Sequence, residues 1–195
     1  EAGTRFFRAI DYKTGSAEFS YTDLYYGLKL QLPLYLAAVA AADDAAHRAL
    51  PAGFYYLPVK TPVLEEGLSG EALLKEVQKA FRLRGVSLKN AELLEAGGGP
   101  SVAPEKGTGV LGLEDFSAVA EFARRKAAQT AEAVRTGRAE TAPYRKSKRD
   151  TACARCDYAS VCGFDPAFGG CAYRSVRTVK ADAFLEEARH ETVDE

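Results

Sequence analysis

The chain contains no methionine, not even at its first position. This absence leads us to expect a segment of a longer protein. Long apolar runs are also absent, because the nearest candidate, residues 28–42, is interrupted by Lys29, Gln31 and Pro33 and runs into Asp43. A stretch broken by charge, amide and proline is typical of a core helix and not of a membrane span or a signal peptide. We therefore expect a cytoplasmic protein with no membrane partner.

An excess of charge of one sign is missing as well. Lysine and arginine number 26 and aspartate and glutamate number 27, which gives a formal net charge of −1. Contact with DNA would therefore need a local basic patch. The dense basic clusters are Arg124–Lys126 and Arg145–Arg149, and each is either a solvated surface or a contact to the DNA backbone. The chain is 47% hydrophobic, which suits a globular fold with a sizeable core.

Residues 6–13 predict a β-strand, because the segment is rich in strand-forming side chains and Thr14–Ser16 is typical of a turn. Side chains alternate between the two faces of a strand. Asp11 and Lys13 are therefore expected on one face and Tyr12 on the other. The pair is either a weak ion pair at a solvated strand end or an acid beside a lysine in a chemical site.

The next segment, residues 21–36, predicts an apolar helical stretch with Pro33 near a helix start or kink between residues 30 and 33. Gln31 precedes Tyr35 by one helical turn, so the two side chains share a face. The apolar spacing that includes Leu32 and Tyr35 places Gln31 on or beside a buried face. We expect this amide to have hydrogen-bond partners.

The remaining pattern alternates short strands with helices. Residues 51–59 predict a strand in the same sheet, with tyrosines that are either core residues or base-stacking platforms. Residues 70–81 predict an amphipathic surface helix, and residues 114–136 a long helix that Gly137 ends. Residues 81–86 predict a short strand or a turn, and residues 97–112 a glycine-rich loop without the features of a P-loop.

The cysteines Cys153, Cys156, Cys162 and Cys171 lie close to the end of the chain. The spacing Cys-x2-Cys-x5-Cys in a chain without a secretory signal argues against disulfides and favours a metal. Thiolates at this spacing suit either a structural zinc or a [4Fe–4S] cluster.

The segments Ile10–Gly15 and Tyr25–Tyr35 resemble the core of PD-(D/E)XK nucleases of the RecB type, through their Asp-x-Lys and Gln-x-x-x-Tyr motifs. The cysteine segment with Tyr173 and Arg174 resembles the end of nuclease subunits of bacterial AddAB-type helicase–nuclease complexes. The resemblance implies an α/β fold with a restriction-endonuclease-like core, a mixed sheet flanked by helices and a cysteine-rich metal-binding segment. It implies a nuclease core over residues 1–150 and an iron–sulfur segment with a tail over residues 151–195.

The resemblance also implies Mg²⁺-dependent hydrolysis of DNA, with Asp11, Lys13, Gln31 and Tyr35 as catalytic residues. Asp11 and the backbone carbonyl of Tyr12 would bind the metal ion. Lys13 would orient or deprotonate the attacking water, Gln31 would hold that water or the DNA backbone, and Tyr35 would brace the helix. The resemblance places the second acid of the family on a preceding strand that this sequence lacks, and we interpret Glu1 as a turn residue and not as its substitute. We therefore expect the 195-residue chain to be inactive by itself.

Cys153, Cys156 and Cys162 would bind a [4Fe–4S] cluster together with an upstream cysteine, which leaves Cys171 as a free thiol. The implied role is double-strand break end processing and recombination repair, with DNA and an AddA-type helicase–nuclease subunit as partners. One alternative is a stand-alone CRISPR-associated exonuclease of the RecB type. The other is a non-catalytic, zinc-stapled interaction module in which Asp11 and Lys13 are surface residues.

Overall fold

A computed structural model describes residues 5–15, 18–41, 49–60, 62–89, 109–138 and 140–193. Its main sheet has four strands in the order β1 (Arg5–Lys13), β2 (Ala49–Pro58), β3 (Arg84–Leu88) and β4 (Val110–Leu111). β1 and β2 are parallel, β2 and β3 antiparallel, and β3 and β4 parallel. The mixed sheet that the resemblance implied is therefore confirmed.

Helices accompany this sheet, and a second, two-stranded parallel sheet lies towards the end of the chain. A 3-10 helix spans Ala152–Arg155. The α-helices are α1 (Tyr21–Tyr25), α2 (Gln31–Ala41), α3 (Gly70–Ala80), α4 (Leu113–Arg135), α5 (Ala159–Cys162) and α6 (Ala181–Val193). The small sheet pairs β5 (Tyr144–Arg145) with β6 (Arg174–Ser175).

Most of the predicted elements are confirmed within a few residues. β1, β2, α3 and α4 match the strands and helices expected from periodicity, and the segment predicted as a strand or a turn overlaps strand β3. Gly137 follows α4 with φ of 72°, a left-handed conformation that glycine adopts without strain. Glu1 and most of the glycine-rich loop lie outside the described residues.

The predicted apolar helix over residues 21–36 is instead two helices. Gly27 has φ of 73° in the turn between α1 and α2, and a Cβ atom there would come within 3.3 Å of Lys126 Cγ. The chain can therefore reverse at this point because residue 27 is glycine. α2 begins at Gln31, which confirms the start predicted from Pro33, since proline in a first turn removes no helical hydrogen bond.

The core lies between the sheet and helices α2, α4 and α6. Phe54 and Val86 enter it from the sheet, Leu32 from α2 and Val119 from α4, and all are almost fully buried. Phe184 of α6 is fully buried against Phe122 of α4, with ring centroids 4.9 Å apart. The C-terminal helix thus completes this core, while the division at residue 150 stays a prediction. Over the described ranges, no helix is long and apolar enough to cross a membrane.

Candidate active site

Asp11 and Lys13 lie at the end of β1, as the strand period predicted. Lys13 Nζ is 2.5 Å from Asp11 Oδ2, and the two side chains are only 36% and 21% exposed. Tyr12 is 67% exposed, as expected for a residue on the other face. Both charged groups are partly withdrawn from water, so the pair is less solvated than an ion pair at a free strand end.

Asp11 Oδ2 is the carboxylate oxygen of the pair that contacts the lysine. It is shielded from solvent, and no hydrogen bond with acceptable angles reaches it within the described part of the chain, so its close partner is the Lys13 ammonium. A shielded carboxylate oxygen without hydrogen bonds is costly unless a cation compensates it. Asp11 and the backbone carbonyl of Tyr12 would hold Mg²⁺, which accepts one or two carboxylates and completes its shell with water and substrate phosphate.

The second acid is not identified by the geometry. Across the ranges with described placement, no group of three histidine, cysteine, aspartate or glutamate side chains is arranged to hold a metal ion. Glu1, the upstream carboxylate considered from the sequence, lies outside these ranges. Of the two acids that the resemblance implies, Asp11 is therefore the one that the described residues include, and the second stays a prediction.

Gln31 and Tyr35 interact across one turn of α2, as their spacing predicted. Gln31 Nε2 donates a hydrogen bond of 2.8 Å to the Tyr35 hydroxyl. The expectation of a largely buried amide was wrong, because Gln31 is exposed and Tyr35 is 52% exposed. The predicted buried stripe is confirmed at Leu32 and Leu36 but not at Tyr35, so the Gln31–Tyr35 face lies beside the stripe and points outward.

A pocket of about 310 Å³ joins the two motifs. It is lined by Lys13 from β1, Gln31 from α2, Tyr56 from β2 and the turn residues Leu28, Lys29 and Leu30. The lysine and the amide of the two motifs thus face one small space, although they belong to different elements. Tyr35 contributes through its hydrogen bond to Gln31.

Tyr56 is a site residue that the sequence predicted only as a core or stacking tyrosine. It pairs with Asp11 in the parallel register of β1 and β2, and Lys13 Nζ lies 5.3 Å from the centre of its ring. Burial raises the pKa of the Tyr56 phenol, and the negative charges of Asp11 and Asp23 raise it further. The Tyr56 phenol is therefore uncharged at neutral pH, although its ring lies close to the charged side chains of Asp11, Asp23 and Lys13.

Asp23 was missed as well, because nothing in its local sequence signals burial. It is 4% exposed and lies on α1, where its backbone N–H donates to the Ser20 hydroxyl that caps the helix. Its carboxylate binds Lys29 Nζ at 3.2 Å and Lys146 Nζ at 2.6 Å. Lys146 belongs to the predicted basic cluster, so at least this member of the cluster is an internal ion-pair partner.

The cysteine segment is held by contacts of Tyr173. This ring packs against Phe164 with centroids 4.8 Å apart, and the Arg145 guanidinium lies 4.8 Å from the ring centre. Local desolvation raises the pKa of Tyr173, and its hydrogen bond to Cys153 raises it further. These contacts bring the segment against strand β5.

The predicted cluster ligands are not brought together. Cys153 and Cys171 are partly exposed and Cys156 and Cys162 are exposed, and the described part of the chain has no group of three such ligands at metal-binding distances. Thiolates converge when a metal holds them, since metal binding is part of the folding of such segments. The geometry therefore gives no support to the cluster, which remains a prediction from spacing and resemblance.

With this geometry in place, the comparisons with known proteins define the class. A profile of the PD-(D/E)XK nuclease superfamily matches residues 1–163. The chain belongs to this superfamily, and the fold and family predicted from the two motifs are confirmed.

The individual relatives are proteins whose names describe the B-type subunit of an ATP-dependent helicase/deoxyribonuclease. The chain is 30% identical to the one from Alkaliphilus metalliredigens over 98% of its own length, and 34% identical to the one from Moorella thermoacetica over 92%. It is 32% identical to the Clostridium tetani protein over 98% of its length. The chain spans 17–18% of the length of these relatives. The resemblance to subunits of helicase–nuclease complexes is thereby confirmed.

Proposed function

We propose that this chain is the Mg²⁺-dependent DNA nuclease domain of a helicase–nuclease subunit that processes double-strand break ends for recombination repair. The observation that carries the proposal is the Asp11–Lys13 pair: its carboxylate oxygen is shielded from solvent, and its lysine lines a pocket together with Gln31. Membership of a nuclease superfamily supports it, and so do relatives whose name joins helicase and deoxyribonuclease. Such relatives favour a subunit over a stand-alone CRISPR-associated exonuclease.

Each residue of the site has a role in phosphodiester hydrolysis. Asp11 and the Tyr12 carbonyl would hold the metal ion, which would supply activation of water and polarisation of the phosphate. Lys13 orients the attacking water and offsets the negative charge that develops on the phosphate oxygens. The Tyr35 hydroxyl fixes the Gln31 amide through their 2.8 Å hydrogen bond, which leaves the rest of that amide to hold water or the DNA backbone.

The partners are DNA and an AddA-type helicase–nuclease subunit. The cysteines at positions 153, 156 and 162 bind a [4Fe–4S] cluster with a fourth cysteine from elsewhere in the full-length protein, and Cys171 stays free. The support for this part is the Cys-x2-Cys-x5-Cys spacing and the resemblance of the segment to that of AddAB-type subunits. A zinc-stapled module without catalysis would share the spacing but would not need the Asp11–Lys13 pair.

The experiment is Mg²⁺-dependent degradation of linear DNA by the full-length protein. Asp11→Ala and Lys13→Ala should each lower the rate by roughly 10²-fold or more, the loss typical of removing one transition-state stabilising group. Lys75→Ala is the matched control, because Lys75 is an exposed lysine on α3 whose partner is Glu71. Wild-type rates in either site variant would refute the assignment.

A further inference from the structure

Asp23 is a buried carboxylate to which the proposed chemistry gives no task. Each of its oxygens binds a different lysine, Oδ2 to Lys29 at 3.2 Å and Oδ1 to Lys146 at 2.6 Å. The side chain of Asp23 is 6% exposed, whereas those of Lys29 and Lys146 are 35% and 29% exposed. Burying a carboxylate is costly unless cations and hydrogen bonds compensate it, and here two cations share it.

This arrangement leaves positive charge in excess beside the proposed catalytic pair. Asp11 balances Lys13, and Asp23 balances one of its two lysines, so three ammonium groups face two carboxylates. Of the two lysines that bind Asp23, Lys29 is the one that lines the pocket, together with Lys13 and Gln31. The surplus charge is thus available at the pocket wall.

The position of Lys29 is fixed by its other contacts. An ammonium group has three donors, of which one goes to Asp23 and one to the Glu18 carbonyl oxygen at 3.0 Å. Lys29 Nζ also lies 5.9 Å from the centre of the Tyr56 ring, and Lys13 Nζ lies 5.3 Å from the same centre. Two ammonium groups therefore flank one ring at the pocket. The third N–H group of the Lys29 ammonium is not used by these two contacts and can donate to a ligand.

We propose that Lys29 binds a DNA phosphate next to the phosphodiester that is cleaved, and that Asp23 and Lys146 are positioning residues that hold it there. The ligand class is a phosphodiester of a nucleic-acid strand, whose charge complements the surplus positive charge. This inference rests on the proposed nuclease function. Lys146 has a role as well, because its ion pair with Asp23 anchors the segment before the cysteines to helix α1, which leads into the turn that lines the pocket.

The test is steady-state cleavage of single-stranded DNA by the full-length protein with Lys29→Gln. We expect KM to rise about tenfold with little change in kcat, as a lost phosphate contact of about 1.4 kcal/mol predicts. The slope of log affinity against log salt, measured without Mg²⁺, should fall by about 0.7 for one phosphate contact to a single strand. Lys29→Arg keeps the positive charge and should restore most of both values.

A second variant distinguishes the loss of a phosphate contact from the loss of folding. Lys29→Gln combined with Asp23→Asn removes one charge of each sign and leaves no buried carboxylate without its partner, so it should show the same rise in KM and the same fall in salt slope. Lys75→Gln on α3 is the matched control, with wild-type KM and slope expected. Asp23→Asn alone should raise KM in the same direction, because Lys29 loses its anchor.

Wild-type KM and salt slope in both Lys29→Gln and the double variant would overturn the inference, provided that Asp11→Ala has abolished cleavage. That outcome would mean that Lys29 is only a structural partner of Asp23. Undiminished cleavage by Asp11→Ala would instead overturn the proposed function itself, so the two failures are distinguishable. A change in kcat without a change in KM or salt slope would also contradict a phosphate-binding role.

Discussion

Phe184→Ala tests whether the C-terminal helix α6 is part of the nuclease core. Phe184 is fully buried and its ring packs against Phe122 at 4.9 Å and Tyr21 at 5.3 Å. Truncating a buried phenylalanine costs about 3–5 kcal/mol, through lost burial and the cavity that remains. The two aromatic contacts place the expected loss in the upper half of that range, since such pairs contribute about 0.5–1.5 kcal/mol beyond burial.

The assay is urea unfolding of the 195-residue chain, followed by far-ultraviolet circular dichroism. A loss of this size should lower the unfolding midpoint by about 1–3 M urea, given the usual dependence of stability on denaturant. Glu187→Ala is the control, because Glu187 lies on the exposed face of α6 and its removal should change stability by less than about 0.5 kcal/mol. A Phe184→Ala chain within about 1 kcal/mol of this control, on the order of the scatter for surface changes, would refute the packing of α6 into the core.

Two further predictions concern the sheet and the cysteines. Gly85→Ala should destabilise the chain strongly, because the new Cβ would fall on the backbone oxygen of Phe54, whereas Gly169→Ala meets nothing within 4 Å and is the control; equal urea midpoints would contradict the tight strand pairing. Iron and sulfide analysis of the full-length protein should find a cluster that Cys153→Ser removes and Cys171→Ser retains. Stoichiometric zinc, or loss only with Cys171→Ser, would contradict that ligand assignment.

The parts of the site that sequence predicted are those governed by local periodicity. Asp11 and Lys13 share a face because strands alternate every residue, and Gln31 reaches Tyr35 because helices repeat about every fourth residue. The burial of Gln31 was mispredicted. Gly27 breaks the apolar stretch into two helices, and the exposed face of the second helix depends on packing against the sheet, which periodicity alone does not determine.

The parts that sequence could not predict depend on contacts between distant segments. Tyr56 faces Asp11 because β1 and β2 pair in one particular parallel register, and Lys146 reaches Asp23 from more than half the chain's length away. Both residues had ordinary local explanations, as a core tyrosine and as a member of a solvated basic cluster. Only the fold reveals that Tyr56 lines the pocket beside Lys13 and that Lys146 binds the carboxylate that holds Lys29.

The most direct test of the central claim is the single-turnover rate of DNA cleavage by the full-length protein as a function of Mg²⁺ concentration, for wild type and Asp11→Asn. This substitution keeps the size of the side chain and removes the negative charge that would bind the metal ion. We predict that wild type shows a saturable dependence on Mg²⁺ and that Asp11→Asn shows no cleavage at concentrations that saturate wild type. An Asp11→Asn protein with the wild-type rate and the wild-type Mg²⁺ midpoint would contradict the assignment of this chain's chemistry to the Asp11–Lys13 pair.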